Sequence, residues 1–155
     1  MAQFSLIPSA ETADVADDIR RLFDDLSWTL PREQRVYSGE CHPTLDVLET
    51  ENVVEVMVDV AGVPIEALRV LFRAGVLLIV GEKAPPGSGS EQTYHLVERE
   101  FGRFARAVRL SGAFDVGNAR ATIRDGELTV VLPKIEERRD AAHQIPVAPA
   151  SEPRT

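Results

Sequence analysis

Cysteine is nearly absent from this chain: Cys41 is the only one in 155 residues. No intrachain disulfide can form, so the fold cannot depend on one, which agrees with a reducing compartment. Long apolar runs are missing too. The longest is "VLLIV" (76–80), far short of the roughly 20 residues a spanning helix needs, so no stable membrane insertion is expected. The opening "MAQFSLIPSAETADVADD" lacks a basic stretch followed by an apolar one, so no signal peptide is expected and a cytoplasmic location is. Basic charge is in deficit, 17 Lys and Arg against 25 Asp and Glu for a net of -8, which argues against nucleic acid as a partner.

Catalytic signatures are missing as well. There is no GxSxG, no P-loop and no GxGxxG opening a helix. His42, His95 and His143 fall in separate segments without metal-ligand spacing. Cys41 and His42 are neighbours that point opposite ways if extended, which makes a chance pair the better reading. Arg99, Arg103, Arg106 and Arg109 gather around one strand, where ion pairing with the adjacent Glu98 and Glu100 is expected rather than phosphate binding. The reading is a non-enzyme that needs no cofactor.

The chain divides into residues 1–42, 43–134 and 135–155. In the first part Val15, Ile19, Leu22, Phe23 and Leu26 recur at steps of three and four between charged residues, which predicts a short amphipathic helix. Its apolar stripe, with Trp28, must cover the main domain, another subunit or a transient partner.

In the second part the texture changes to period two. Strands are predicted at 45–50, 53–60, 68–72, 76–80, 104–110, 119–123 and 127–132. Asp125-Gly126 is the strongest hairpin signal, and "RAG" (73–75) closes another. Many short strands without crossover helices indicate an all-β, antiparallel β-sandwich. "KAPPGSGSEQT" (83–93) reads as a flexible loop leading into a short strand-like piece, "YHLV" (94–97), which such an arm could carry to another subunit.

The third part is rich in proline and charge and reads as a flexible tail. Within it Ile145 and Val147 flank Pro146, two branched apolar side chains with nothing of their own to bury against.

The ordered motifs "VDVAGV" (58–63), "GVLLIVGEK" (75–83), "YHLVEREFGRFARAVRL" (94–110) and "ATIRDGELTVVLPK" (121–134), followed by "IPV", resemble the small heat shock proteins of bacterial and plant type, with their α-crystallin domain. Ala61 and Ser111 stand where such sequences usually carry proline, and the tail has Ile-x-Val instead of Ile-x-Ile.

The resemblance implies an immunoglobulin-like β-sandwich and an ATP-independent holdase that keeps partly unfolded proteins from aggregating. A non-catalytic scaffold or adaptor binding one defined partner is the alternative. It also implies a homo-oligomer built from strand-exchanged dimers, in which Tyr94, His95, Leu96 and Val97 pair with "LDVLET" (45–50) of the neighbour and Arg106 supports the interface. Ile145, Pro146 and Val147 would form a docking motif whose two knobs project to one side. The receiving groove is expected between Val70 and Phe72 on one strand and Ala121 and Ile123 on another. Phe4, Leu22, Phe23, Leu26 and Trp28 are the candidates for client binding.

Overall fold

A computed structural model describes residues 4–7, 15–29, 41–85 and 91–136, with the side chains of residues 6, 7 and 27–29 excepted. Eight strands and one helix follow in the order β1 (Phe4–Ile7), α1 (Ala16–Thr29), β2 (Leu45–Glu49), β3 (Val53–Asp59), β4 (Leu68–Arg73), β5 (Val76–Lys83), β6 (Gly102–Leu110), β7 (Arg120–Arg124) and β8 (Glu127–Pro133). They form two antiparallel four-stranded sheets, ordered β1-β6-β5-β4 and β2-β3-β8-β7, and the expected sandwich is what is observed.

Strict alternation builds the second sheet. Val54, Val56 and Val58 on β3 point into the core while the residues between them face outward. Their partners in register, Leu132, Val130 and Leu128 on β8, share that face. Leu77 and Ile79 of β5 and Phe104 and Val108 of β6 close the core from the other sheet.

β5 breaks the alternation because it is buried on both sides. Leu77 and Ile79 face the sandwich core, whereas Val76, Leu78 and Val80 face the opposite way into a second apolar cluster with Ala107 of β6 and Val15 and Leu26. A strand covered on both faces reads as a continuous apolar run, the physical origin of "VLLIV". The cover on its outer face is α1. The helix therefore packs on its own sandwich, with Leu26 only 1% exposed and Ile19, Leu22 and Phe23 against the same cluster.

Two elements differ from the sequence reading. β1 was not anticipated; it pairs with the far end of β6, Phe4 opposite Leu110 and Ile7 opposite Ala107. Four residues bounded by Pro8 are too few to show a period. Conversely, Tyr94–Val97 forms no strand, and Tyr94, Leu96 and Val97 are 56%, 76% and 59% exposed. A strand needs a ladder partner, and neither sheet of this chain takes the segment in. The tail beyond Glu136, including Ile145, Pro146 and Val147, lies outside the described residues, as does the Trp28 side chain.

Both hairpin signals hold. Asp125 and Gly126 have φ of 51° and 79°, and Ala74 and Gly75 have 51° and 77°, the paired left-handed geometry of tight hairpin turns. Alanine is a poor occupant of that region, whereas asparagine tolerates it. Ala74→Asn should therefore raise stability by about 1 kcal/mol, and Gly75→Ala lower it by a similar amount. Urea unfolding midpoints of the two variants, moving in opposite directions, are the measurement.

Candidate functional site

β4 and β7 each end their sheet, so each has one edge without a strand partner among the described residues. Val70 and Phe72 point from β4 toward the core and are half-buried at its rim. On β7, Ala121 and Ile123 stand opposite the buried Val130 and Leu128, which places both on the core-facing side of their sheet. Ile123 is half-buried, whereas Ala121 is exposed. Val70, Phe72 and Ile123 thus pack against the sandwich core beside these two edges, with Ala121 exposed two residues before Ile123.

Phe114 is an addition that the sequence reading missed. It lies before β7, is fixed by a bridge to Lys134, and meets Phe72 edge-on with ring centroids 5.7 Å apart at 81°. Its aromatic side chain ties the β4 flank to the β7 flank. A large aromatic inside the turn-like "SGAFD" was the available signal.

β2 ends the second sheet on the opposite side. Leu45 and Val47 pack on the core, while Leu48 is exposed. Just before it, the carbonyl of Pro43 accepts a hydrogen bond from Arg106 Nη1 at 2.9 Å. Burial pushes the Arg106 guanidinium below its usual pKa. Arg106 thus holds the chain leading into β2, whereas Tyr94, His95, Leu96 and Val97 sit exposed. The arginine pairings differ from expectation: Arg103 Nε lies 3.9 Å from Glu82 of β5, its partner in register, and Arg99 lies over the Phe101 ring at 5.2 Å. Register decides here, because cross-strand neighbours share a face and sequence neighbours do not.

α1 carries three of the client-binding candidates, and all three are engaged. Leu22 and Phe23 pack on the outer cluster, Leu26 is buried in it, and the Arg103 guanidinium stands 5.2 Å from the Phe23 ring centroid. Phe4 packs against the sandwich core from β1. The helix is also pinned by charge: Asp25 Oδ2 accepts from Arg69 Nε at 2.7 Å and Asp18 Oδ1 from Arg73 Nη1 at 2.9 Å.

Cys41 and His42 border a cavity of about 270 Å³ together with Lys83, Arg99 and Glu100. Burial raises the Cys41 thiol above its usual pKa, the reverse of what activates a nucleophile. The backbone N–H of His42 donates to Glu100 Oε2 at 3.2 Å, and that of Cys41 to the Arg103 carbonyl at 3.2 Å. Among the described residues no cluster of His, Cys, Asp and Glu is placed to hold a metal ion, and no helix is long and apolar enough to cross a membrane.

Comparison with known proteins follows the same lines. The sequence profile of the Hsp20/alpha crystallin family matches residues 46–148. Heat shock protein 16 of Schizosaccharomyces pombe is 33% identical over 121 residues, 77% of this chain and 85% of that protein. Small heat shock protein C4 of Rickettsia felis is 28% identical over 63% of this chain, and the match spans 60% of that relative's length. A solved structure, heat shock protein 16.0 from Schizosaccharomyces pombe, superposes with a TM-score of 0.61 at 32% identity, covering 70% of this chain and all of that one. With the sandwich, its open edges and these likenesses in agreement, the chain belongs to the Hsp20/alpha crystallin family, the small heat shock proteins, a family of chaperones.

Proposed function

We propose that the chain is an ATP-independent holdase that binds partly unfolded proteins and keeps them from aggregating, and that it works as a homo-oligomer assembled from strand-exchanged dimers. The observation that carries this reading is that β4 and β7 each end their sheet with an edge unpaired among the described residues, beside the half-buried apolar Val70, Phe72 and Ile123; these, with Ala121, are the groove proposed to receive apolar segments. Such a surface accepts an extended apolar segment without chemistry, and its recognition is broad because the hydrophobic effect has no direction.

Three segments complete the proposal. The tail's Ile145 and Val147, on one side of an extended chain stiffened by Pro146, enter that groove of another subunit. Burying them contributes roughly 3–6 kcal/mol before ordering costs are subtracted, so one tail docks weakly and many together hold an assembly. Tyr94 to Val97 pair with the outer edge of β2 in a neighbour, and their exposure here supports that role. Phe4, Leu22, Phe23, Leu26 and Trp28 meet clients when the N-terminal region leaves the sandwich; a cytoplasmic location completes the picture.

Light scattering from a heat-labile test protein, without ATP, tests the activity. Equimolar or smaller amounts of the chain should suppress the signal, and scattering that stays unchanged across temperatures refutes the holdase and leaves the scaffold. Ile145→Ala with Val147→Ala should reduce a larger oligomer to dimers in analytical ultracentrifugation with an unchanged circular dichroism spectrum; retention of the parent mass rules out tail docking. Deleting 86–97 should give monomers, and a dimer that persists in static light scattering rules out the exchange.

A further inference from the structure

The outward face of the first sheet has an apolar centre and a basic frame. Three rows in register describe it. Arg73, Val76 and Arg109 form one end, Leu71, Leu78 and Ala107 the middle, and Arg69, Val80 and Ala105 the next row. Beyond them Arg103 stands beside the buried Glu82. The two alanines of β6 make a shallow floor beside the larger Val76, Leu78 and Val80 of β5. Arginines therefore sit at both ends of an apolar patch three rows long.

α1 fits this surface in both respects. Its apolar stripe covers the centre, and its acidic residues meet the frame, Asp25 on Arg69 and Asp18 on Arg73. Within the helix, Asp17 and Asp18 stand in the first turn, where the dipole favours them, and Arg20 pairs with Asp17 at 3.3 Å. Fourteen residues are marginal for an isolated helix, and its last turn carries no basic residue to offset the dipole. Each pair joins a largely covered partner to an exposed one, Arg69 at 27% with Asp25 at 62% and Asp18 at 14% with Arg73 at 66%, so the pairs stay partly open to solvent and are weakened by salt.

We infer that the face beneath α1 is a docking surface for apolar polypeptide segments flanked by acidic residues, and that α1 is its built-in occupant, displaced when such a segment binds. The inference rests on the holdase reading for the origin of those segments and adds a preference to it: clients are ranked by the charge that borders their apolar stretches.

The test uses the full chain carrying Cys41→Ser and Ala107→Cys, which puts a single thiol under the helix. Two fluorescent peptides share one apolar core, one flanked by aspartate and the other by lysine. Asp18→Asn with Asp25→Asn loosens the cover and leaves the basic frame intact. In this background the aspartate-flanked peptide should bind about fivefold tighter than to the unloosened chain, and about fivefold tighter than the lysine-flanked peptide binds. Its binding should also shield the thiol from dithionitrobenzoate. Arg69→Gln with Arg73→Gln loosens the same helix from the other side, and here the preference between peptides should shrink. Circular dichroism confirms that each variant is folded.

Equal affinity for the two peptides in the Asp18→Asn, Asp25→Asn background overturns the inference, and so does tight binding that leaves the thiol as reactive as before. Scattering by the test protein is measured on the unloosened chain in parallel. Suppression there without a charge preference removes this inference alone, whereas no suppression removes the holdase reading and leaves the peptide result to judge the surface.

Discussion

Burial of β5 on both faces is the constraint on which the rest of the molecule depends. A two-sheet sandwich needs one apolar face per sheet, and a strand that serves it alternates. β5 instead presents Leu77 and Ile79 to the core and Val76, Leu78 and Val80 outward, all of them under 10% exposed. Fully burying such a side chain stabilises by about 1.5–3 kcal/mol, and leaving three adjacent ones in water forfeits that and creates an exposed patch. Something must lie on the outer face, and the amphipathic residues 15–26 are what the chain has to lay there. The N-terminal segment is thus tied to the sandwich by the needs of one strand, although it precedes that strand by some fifty residues of sequence.

A second constraint is that an open sandwich has strand edges. Native sheets blunt them with charge, irregularity or cover. Here β1 covers part of β6, and Arg120 and Arg124 place charge on β7. β2, β4 and β7 keep apolar residues beside backbone that is unpaired among the described residues. In a chain selected only to remain monomeric these positions would be liabilities. In a family of chaperones, apolar residues beside open strand edges are compatible with association with other chains.

The parts legible in the sequence were those with a short period or a fixed turn chemistry. All seven predicted strands from 45 to 132 are present to within a few residues, because alternation of Val and Leu with polar residues reports a half-buried strand directly. Asp125-Gly126 and Ala74-Gly75 marked their turns for the same local reason. The face that Val70, Phe72, Ala121 and Ile123 share was legible too, since they lie at alternate positions on β4 and β7. Phe114 was not, because its role comes from an irregular segment folded against Phe72. Nor were the partners of the arginines: Arg103 with Glu82 and Arg69 with Asp25 are pairings of register and docking, invisible to a reading along the chain. Four residues of β1 carry no period, and their pairing is decided by the free edge of β6.

β4 shows how period two lets one short strand serve two surfaces. Its odd and even positions divide the labour: Val70 and Phe72 pack on the sandwich core, while Arg69, Leu71 and Arg73 hold the underside of α1. Six residues, paired on one side only among the described residues, carry both contacts. A terminal strand is the least constrained member of a sheet, so its position depends on what is bound to each of its faces. The helix on one face fixes Arg69 and Arg73, and through the shared backbone it limits where Val70 and Phe72 can stand. The core contact of Val70 and Phe72 does the converse, since both sets of contacts meet in the same six residues.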